Sequence, residues 1–399
     1  MVRTTPFHPR LAELSETQLW QHWAGYLSAE RYDPSAKQDY MVLRNAVAFF
    51  DTSPLYKYWV RGRDAERFLG GVLARDPRRC RPGRAQYTVW CDDDGHVLED
   101  GVLFRHSADE VMLTTARPNA GYLSSLVGRL DVEVVDVSTE YASVAVQGPR
   151  SRTVVAALAP EAAELPYFGL TTSKIGDVPV SVSRTGFTGD LGYELMLPAD
   201  AALPLLDRLI AVGEPYGMRP FGNQALDIAR IEAGLPLIDV EFSSARFAYT
   251  DHDRFSPYEL GLGWLLRDLD DDSRPFIGRR ALRHEAATGS SRWATVGLVV
   301  DWRAYIDLYE GEGLEPPYDE IPVPWETMLY DADGGRAGYA TSMTYSPILQ
   351  NTIALARVRP ELAALGTTVH VEQSVNHRYL TVPATVTATP FYAPERKVA

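Results

Sequence analysis

Residues 185–194 read Thr-Gly-Phe-Thr-Gly-Asp-Leu-Gly-Tyr-Glu, and this stretch carries most of the information about the fold. Its three glycines allow another group to approach the backbone closely, because glycine has no Cβ atom. The stretch ends on Glu194, whose carboxylate can accept hydrogen bonds from two neighbouring N–H groups at once. A lone glutamate is usually a solvated surface residue, so Glu194 gains its meaning from the pattern that precedes it.

The segments on both sides of this stretch alternate between strand and helix patterns. Before it, 87–90, 97–104 and 110–115 are predicted to form antiparallel strands, because apolar and β-branched residues dominate them. After it, 202–212 is predicted to be an amphipathic helix, and 223–233 is predicted to be a second helix.

The pattern changes after Phe276. Short alternating strands dominate 294–389, which predicts a separate all-β domain in the form of a barrel or jelly roll. Within this region 305–325 is acidic, proline-rich and aromatic, and it is predicted to be a loop rather than core. A mixed region followed by an all-β region predicts an α+β chain with an appended β domain.

Composition argues against several classes of protein. The chain has 399 residues, which predicts two or three domains. Its 53 acidic and 39 basic side chains give a net charge of -14, so we expect no nucleic-acid partner. Neither a signal peptide nor a membrane-spanning apolar run is indicated. The two cysteines, Cys80 and Cys91, lack a CxxC spacing, so no metal site is expected and a cytoplasmic location is predicted.

Nine short stretches, read in order, resemble the folate-binding T-protein (aminomethyltransferase) family of the glycine cleavage system. Each is short, and their order and spacing over about residues 40–395 carry the resemblance. Besides 185–194 they are FDTS (50–53), PGRAQYT (82–88), GHVLED (95–100), RIEAGL (230–235), GLGW (261–264), FIGR (276–279), TYSP (344–347) and PFY (390–392).

The resemblance implies an α+β fold in which three domains form a cloverleaf ring around a channel for tetrahydrofolate. Two interleaved α/β domains would be followed by a C-terminal β-barrel or jelly-roll domain. The first, folate-binding domain is expected to comprise 1–50 and 140–240. The second, with the antiparallel sheet and the catalytic aspartate, is expected to comprise 51–139 and 241–280. The β-barrel domain is expected to comprise 281–399.

The resemblance also implies roles for residues in a tetrahydrofolate site. Glu194 matches the glutamate that reads the ring N–H and exocyclic amino group of the pterin. Tyr87 matches a tyrosine that stacks on the ring or bonds to it. Asp100 matches the catalytic aspartate, which can orient a folate nitrogen or relay a proton. Glu99 is expected to point to the opposite face of the strand.

Three further residues are expected to bind the cofactor. Phe187 replaces the tyrosine of the family's GYTG motif, and Trp264 would line the channel. Arg378 would meet the acidic tail of the folate. For Trp264 a place in the core, and for Arg378 a solvated position, remain open alternatives.

The substrate end of the pocket departs from the T-protein pattern. Leu226 stands where T-proteins carry an arginine, and Met112 stands where a tyrosine is frequent. Pro54 replaces the histidine that usually follows the Asp-x-Ser turn. These replacements, with Phe187, remove polar groups and predict a different one-carbon donor.

A long connection, 237–258, offers material for a lid or a substrate pocket. In a demethylation the leaving heteroatom needs a proton, which Tyr249 or His252 could supply. Arg117 could bind a substrate carboxylate through two hydrogen bonds. Solvated loop positions for all three side chains remain the alternative.

We therefore expect an enzyme that moves a methyl or methylene group from a small N-, O- or S-methylated molecule to tetrahydrofolate without a metal. One alternative is a true T-protein that takes an aminomethyl group from a lipoyl carrier protein. Another is a non-catalytic folate-binding protein or a repurposed biosynthetic enzyme. A small molecule is the expected partner, and neither nucleic acid nor membrane is expected.

Overall fold

The computed structural model describes residues 2–317, 321–323 and 325–399. Within these residues the α-helices are α1 (His8–Leu14), α2 (Ala36–Asn45), α3 (Ala65–Val72), α4 (Ala120–Ser125), α5 (Ser151–Leu158), α6 (Pro160–Ala163), α7 (Ala202–Gly213), α8 (Asn223–Glu232), α9 (Arg279–Thr288) and α10 (Trp302–Gly311). The strands are β1 (Trp20–Trp23), β2 (Tyr26–Ala29), β3 (Ala48–Asp51), β4 (Tyr56–Arg61), β5 (Arg84–Cys91), β6 (Val97–Arg105), β7 (Glu110–Thr115), β8 (Glu133–Asp136), β9 (Tyr141–Gln147), β10 (Leu170–Ile175), β11 (Val178–Ser183), β12 (Gly192–Pro198), β13 (Arg219–Pro220), β14 (Ala294–Val300), β15 (Thr327–Tyr330), β16 (Arg336–Ser346), β17 (Asn351–Val358), β18 (Thr368–Val375) and β19 (Arg378–Thr387).

A six-stranded sheet in the order β10-β11-β12-β9-β3-β13 forms the first layer. Alternate residues of β12 and β9 face a core that includes Tyr193, Leu195 and Val144, and helices α5 and α7 cover this side with residues such as Leu158 and Leu209. Because side chains alternate along a strand, the intervening residues of β12 and β9 face the other way. This second face of the sheet lines a cavity described below.

A five-stranded antiparallel sheet in the order β5-β6-β7-β4-β8 forms the second layer. All its strands come from between β3 and β9 in the chain, so the two sheets are interleaved in sequence. One face packs on α3, while Trp59, Phe104 and Met112 on the other face meet Tyr141 and Met196 of the first sheet. The two sheets therefore lie face to face.

The segment that follows α8 covers the other end of the five-stranded sheet. A buried cluster joins Val89 and Val97 of that sheet to Phe242, Leu262 and Phe276. The positions of the sheets and of this segment agree with the interleaving expected from the sequence. The domain boundaries given above stay a prediction.

A closed barrel in the order β14-β17-β16-β15-β18-β19 forms the C-terminal part, and β14 pairs with β19 to complete it. The prediction of an α+β chain that ends in a β-barrel is thus confirmed. The barrel core is made of alanine, valine and leucine residues such as Val296, Leu329, Ala354, Val371 and Val382, which suit the narrow interior of a six-stranded barrel.

The prediction that 305–325 is a loop is wrong for its first part, because α10 continues through Gly311. Leu308 of this helix packs against the barrel core, and the buried Tyr309 donates its O–H to Gln373 of β18. Their apolar spacing was obscured by the acidic and proline-rich residues that follow. Residues 318–320 and 324 of the predicted loop lie outside the described residues.

Buried polar contacts attach the barrel to helix α8. Arg230 donates to Glu241 Oε2 at 2.7 Å and to Ser342 Oγ of β16 at 2.9 Å. Ser346 Oγ of the same strand donates to Glu232 Oε1 at 2.5 Å. Separating such a buried pair would leave a charge without a partner, which is unfavourable. These contacts therefore fix the position of the barrel relative to α8. No helix of the described residues is long and apolar enough to cross a membrane.

Candidate active site

A cavity between the two sheets contains Glu194. Its enclosed volume is about 20 Å³, within about 350 Å³ of empty space that includes the part open to solvent. The lining combines a carboxylate, an ammonium group, hydroxyls and apolar side chains. The lining residues are Thr52, Leu55, Lys57, Phe104, Thr114, Ser143, Ser181, Ser183, Glu194 and Met196.

The carboxylate of Glu194 is half-buried on β12 and has a defined hydrogen-bond partner. Thr185 Oγ1 donates to its Oε2 atom, and Thr185 Oγ1 also lies 2.6 Å from Ser183 Oγ. Burial raises the pKa of Glu194, while the Thr185 hydrogen bond and the charge of Lys57 act to lower it. The Glu194 carboxylate thus lines the cavity, and its interactions with Thr185 and Lys57 favour its ionised form.

Lys57 on β4 faces the same cavity from the opposite sheet, and sequence reasoning missed it. Its side chain is only 1% exposed, and its Nζ donates to Ser53 O at 3.0 Å and to Leu55 O at 2.7 Å. Burial lowers the pKa of Lys57 to about 8, although the charges of Asp51 and Glu194 oppose the shift. The signal in the sequence was a lysine within the apolar strand run Tyr-Lys-Tyr-Trp-Val.

Tyr87 and Asp100 meet on the neighbouring strands β5 and β6. The register pairs Val89 with Asp100, so Tyr87 lies diagonally opposite Asp100 on the same face. Tyr87 donates its O–H to Asp100 Oδ2 at 2.9 Å. The ring of Trp264 stacks on Tyr87 with 6.4 Å between centroids and is 46% exposed. The structure therefore brings three of the predicted site residues together.

The neighbouring carboxyl group of Glu99 is fully buried. Its Oε2 accepts from Arg117 N at 3.2 Å and from Asn119 Nδ2 at 3.1 Å, and its Oε1 accepts from Asp100 N at 3.1 Å. Burial and the charge of Asp100 raise the pKa of Glu99 well above its usual range. Burial also raises the pKa of Asp100, while the hydrogen bonds from Tyr87 and Glu99 act to lower it. Because Glu99 and Asp100 are adjacent and buried, ionisation of both carboxyl groups at once is unfavourable, and the pair tends to keep a proton.

Glu99→Gln is expected to remove a pH dependence of stability. A carboxyl group whose pKa is raised on folding stabilises the fold fully below its unfolded-state pKa, and this stabilisation is lost as the pH rises through the folded-state pKa. Relative to the variant, the wild type should lose about 1 kcal/mol or more of unfolding free energy between about pH 5.5 and about pH 8.5. Urea unfolding at several pH values measures this difference.

The exposed residue Glu310 provides the matched control, because Glu310→Gln removes a carboxylate that lies in solvent. Parallel pH dependence in the wild type and Glu99→Gln would show that the Glu99 carboxyl group titrates normally.

Asp100 and the Glu194 cavity lie along one face of the same sheet. Asp100 and Phe104 are four residues apart on β6, and Phe104 lines the cavity. Even spacing puts both on one face, with about 13 Å between their Cα atoms at the usual rise of a strand. A ligand held at Glu194 can therefore extend along this face toward Asp100.

The glycines of 185–194 allow close packing within the chain. A Cβ atom on Gly186 or Gly192 would lie 2.1 Å from Gln147 Oε1, and one on Gly189 would lie 2.4 Å from Ala233 Cβ. Gly189 also has a φ of +72°, which disfavours other residues. Packing against Gln147 and Ala233 therefore requires these glycines in the turn that presents Glu194.

The other predicted site residues lie in different surroundings. Phe187 is partly exposed in the turn before β12, and Arg378 forms an ion pair with Glu312 at the edge of the barrel. Tyr249 is 98% exposed, and His252 is also in solvent, so the structure does not bring either side chain beside Asp100. Their roles stay predictions.

Arg117 lies near the carboxyl groups of Glu99 and Asp100, but its guanidinium already binds another residue of the chain. Its Nε donates to Asp239 Oδ2 at 2.9 Å, and its guanidinium lies 5.5 Å from the ring centroid of Phe247. The charge of Asp239 also acts to raise the pKa of Asp100. A substrate carboxylate that binds Arg117 in this conformation competes with Asp239.

The replacements at the substrate end are packed as apolar residues. Met112 is buried against Trp59 and Phe104, and Leu226 packs against the cluster around Tyr40. Neither side chain lines the cavity that contains Glu194.

Two family models match most of the chain. The model described as the GCVT N-terminal domain matches residues 8–268. The model described as the glycine cleavage T-protein C-terminal barrel domain matches residues 313–393. The first covers both sheets of the structure, and the second covers most of the barrel.

Individual proteins agree with these matches. The chain is 32% identical to an aminomethyltransferase of Geobacillus kaustophilus over 90% of each sequence. It is 31% identical to a trimethylamine-oxide aldolase of Ruegeria pomeroyi, over 99% of this chain and 48% of that protein. The crystal structure of the glycine cleavage system aminomethyltransferase T from Bartonella henselae has the same fold, with a TM-score of 0.82 and 21% identity over 98% of this chain and 99% of that one.

Proposed function

Because the chain belongs to the glycine cleavage T-protein family, we propose that it is a tetrahydrofolate-dependent one-carbon transferase. The donor is a small molecule with a methyl group on nitrogen, oxygen or sulfur, or one that carries a methylene unit. The observation that carries this proposal is the 2.9 Å hydrogen bond from Tyr87 to Asp100, which holds a half-buried carboxylate on the strand face that leads to the Glu194 cavity.

The chemical groups of the site match those of a pterin cofactor. A pterin presents a ring N–H beside an exocyclic amino group, and the Glu194 carboxylate is suited to accept from both. The stacked pair of Tyr87 and Trp264 offers an aromatic wall at the Asp100 end. Hydroxyl groups of the cavity lining, such as that of Ser143, can serve the remaining polar atoms of a ring.

Tetrahydrofolate, when bound, supplies the nitrogen that takes up the one-carbon unit. Asp100 orients this centre and exchanges its proton, because a raised pKa brings a carboxyl group closer to the pH at which it can both accept and return one. Tyr87 holds Asp100 Oδ2 in place, and Glu194 anchors the far end of the ligand. Holding both reactants in line supplies much of the rate acceleration.

A methylated donor is favoured over a carrier-bound one by two observations. The Ruegeria pomeroyi relative is named for trimethylamine oxide, a small N-methylated molecule. In addition, Met112 and Leu226 are packed among apolar residues where T-proteins carry polar groups. The relatives named aminomethyltransferase support the second candidate, which is transfer of an aminomethyl group from a lipoyl carrier protein.

Incubation with tetrahydrofolate and a panel of N-, O- and S-methylated small molecules tests the proposal, with folate products measured by mass spectrometry. We expect methyl- or methylenetetrahydrofolate with one class of donor. Ammonia and methylenetetrahydrofolate formed with an aminomethyl-lipoyl carrier would identify the second candidate instead. Absence of both folate binding and folate products would refute both.

Tyr87→Phe is expected to shift the pH dependence of transfer. The Tyr87 hydroxyl stabilises the charged form of Asp100, so its removal raises the pKa of Asp100 further. The step that needs ionised Asp100 should then begin about one pH unit higher, since a hydrogen bond to a charged group is worth about 1.5 kcal/mol or more. The pH profile of kcat/KM measures the shift.

Tyr379→Phe is the matched control, because Tyr379 is an exposed tyrosine of the barrel. An unchanged pH profile of kcat/KM in Tyr87→Phe would mean that the ionisation of Asp100 does not determine how kcat/KM rises from acidic pH.

A further inference from the structure

Lys57 is a buried cation in a place where an apolar residue would be expected. Its neighbours Tyr58, Trp59 and Val60 on β4 are all buried, and the Lys57 side chain lies in the interface between the two sheets. Burial of an ammonium group is unfavourable unless nearby groups compensate it. The charge of Asp51 and the carbonyls of Ser53 and Leu55 compensate part of this cost, and the side chain still lines the cavity that contains Glu194.

The cavity sets Lys57 opposite Glu194. Lys57 pairs in register with Thr114 on β7, and both belong to the five-stranded sheet. Glu194 pairs in register with Ser183, and both belong to the six-stranded sheet. All four side chains line one small cavity, and the charge of Glu194 acts on Lys57, so one edge of a ligand can meet the acceptor of Glu194 and the cationic donor of Lys57 together.

The ammonium group retains a donor for such a ligand. An ammonium group carries three N–H donors, and Lys57 gives two hydrogen bonds, to Ser53 O at 3.0 Å and to Leu55 O at 2.7 Å. These two carbonyls position the nitrogen at the cavity wall. The third N–H is therefore available for an acceptor atom of a ligand.

We propose that Lys57 donates to the ring carbonyl of the bound pterin and thereby makes the site specific for a 2-amino-4-oxo ring. This inference rests on the proposed function. In such a ring the amino group, the N–H and the carbonyl follow one another along one edge. Glu194 satisfies the two donors, and Lys57 satisfies the acceptor that comes next. Lys57 is a specificity-determining residue that completes the recognition begun by Glu194.

In a ring with an amino group in place of the carbonyl, an N–H group of the ring faces the N–H group of Lys57, and the two donors cannot form a hydrogen bond. A site built to hydrogen-bond a polar group rejects an analogue that lacks it, because its own buried group is left unpaired. The wild type should therefore bind tetrahydrofolate at least about tenfold more tightly than the reduced 2,4-diamino analogue.

Calorimetric titration of both ligands into wild type, Lys57→Gln and Lys57→Met tests this inference. Glutamine removes the charge while its amide can still donate to the carbonyls of Ser53 and Leu55, and methionine removes both functions. The measured quantity is the ratio of the two dissociation constants. We expect this ratio to fall roughly tenfold in both variants and to stay unchanged in Lys174→Gln, which alters an exposed lysine of β10.

An unchanged ratio in a folded Lys57 variant would overturn the inference, and so would a wild type that prefers the 2,4-diamino ring. The second criterion applies even when the Lys57 variants do not fold. Support comes from the fall of the ratio in the variants, because the 2,4-diamino ring also lacks the ring N–H that Glu194 binds, and the variants leave that contact unchanged. Failure of the proposed function is distinct, because it would appear as absence of tetrahydrofolate binding in the wild type.

Discussion

Asp100→Asn is expected to lower kcat by about 10²- to 10⁴-fold, which is the usual contribution of a positioned acid or base. Asparagine keeps the size of the side chain and an oxygen that can accept from Tyr87, whose O–H lies 2.9 Å from Asp100 Oδ2. It loses the charge and the ability to take up a proton. The affinity for tetrahydrofolate should change by only a few-fold, roughly, because the ring is anchored at Glu194.

The measurement compares single-turnover formation of the folate product with the dissociation constant of tetrahydrofolate for the same protein. Asp177→Asn is the matched control, since Asp177 is an exposed aspartate in the turn between β10 and β11. A kcat within about threefold of the wild type would show that Asp100 is not catalytic. Glu99, the buried neighbour, would then be the next residue to replace.

Glu194→Gln is expected to weaken tetrahydrofolate binding by about 100-fold. The carboxylate accepts from two adjacent donors of the ring, whereas an amide offers one oxygen and sets an NH₂ group against the second donor. Thr185 Oγ1, which donates to Glu194 Oε2, also loses a charged acceptor. Binding should fall while kcat at saturating cofactor changes much less, because Glu194 on β12 lines the cavity beside Phe104, four residues along β6 from Asp100.

Titration calorimetry gives the dissociation constants, and thermal unfolding shows whether the variant is folded. The exposed residue Glu164 supplies the control variant Glu164→Gln. Equal affinity of wild type and Glu194→Gln for tetrahydrofolate would remove Glu194 from the site. In that case the pterin would have to bind elsewhere, and the Lys57 inference would lose its basis.

Local sequence patterns predicted the elements well where one face of a helix or strand is buried. The helices predicted at 202–212 and 223–233 are observed as α7 and α8, and the strand predicted at 110–115 is β7. Periodicity succeeds here because burial of one face is set by residues close in the chain. Periodicity failed at α10, because the charged, proline-rich residues that follow this helix obscured its amphipathic pattern.

The pairing of Tyr87 with Asp100 could be expected from the sequence, because both belong to neighbouring strands of one hairpin. Tyr249 and His252 show the limit of such reasoning. Their residue types suited proton transfer, but the chain places them in solvent, and only the path of 237–258 determines this. The internal contact of Arg117 with Asp239 was likewise invisible, because the two residues are distant in the chain.

The sequence by itself determined the α+β class, the C-terminal barrel and the family resemblance, because motif order and periodicity are properties of the linear chain. Only the tertiary structure decided that Lys57 faces Glu194 across a cavity. These residues belong to two sheets whose strands are interleaved in the chain. Their meeting follows from the packing of the two sheets face to face, and no local pattern encodes the pairing of residues across that interface.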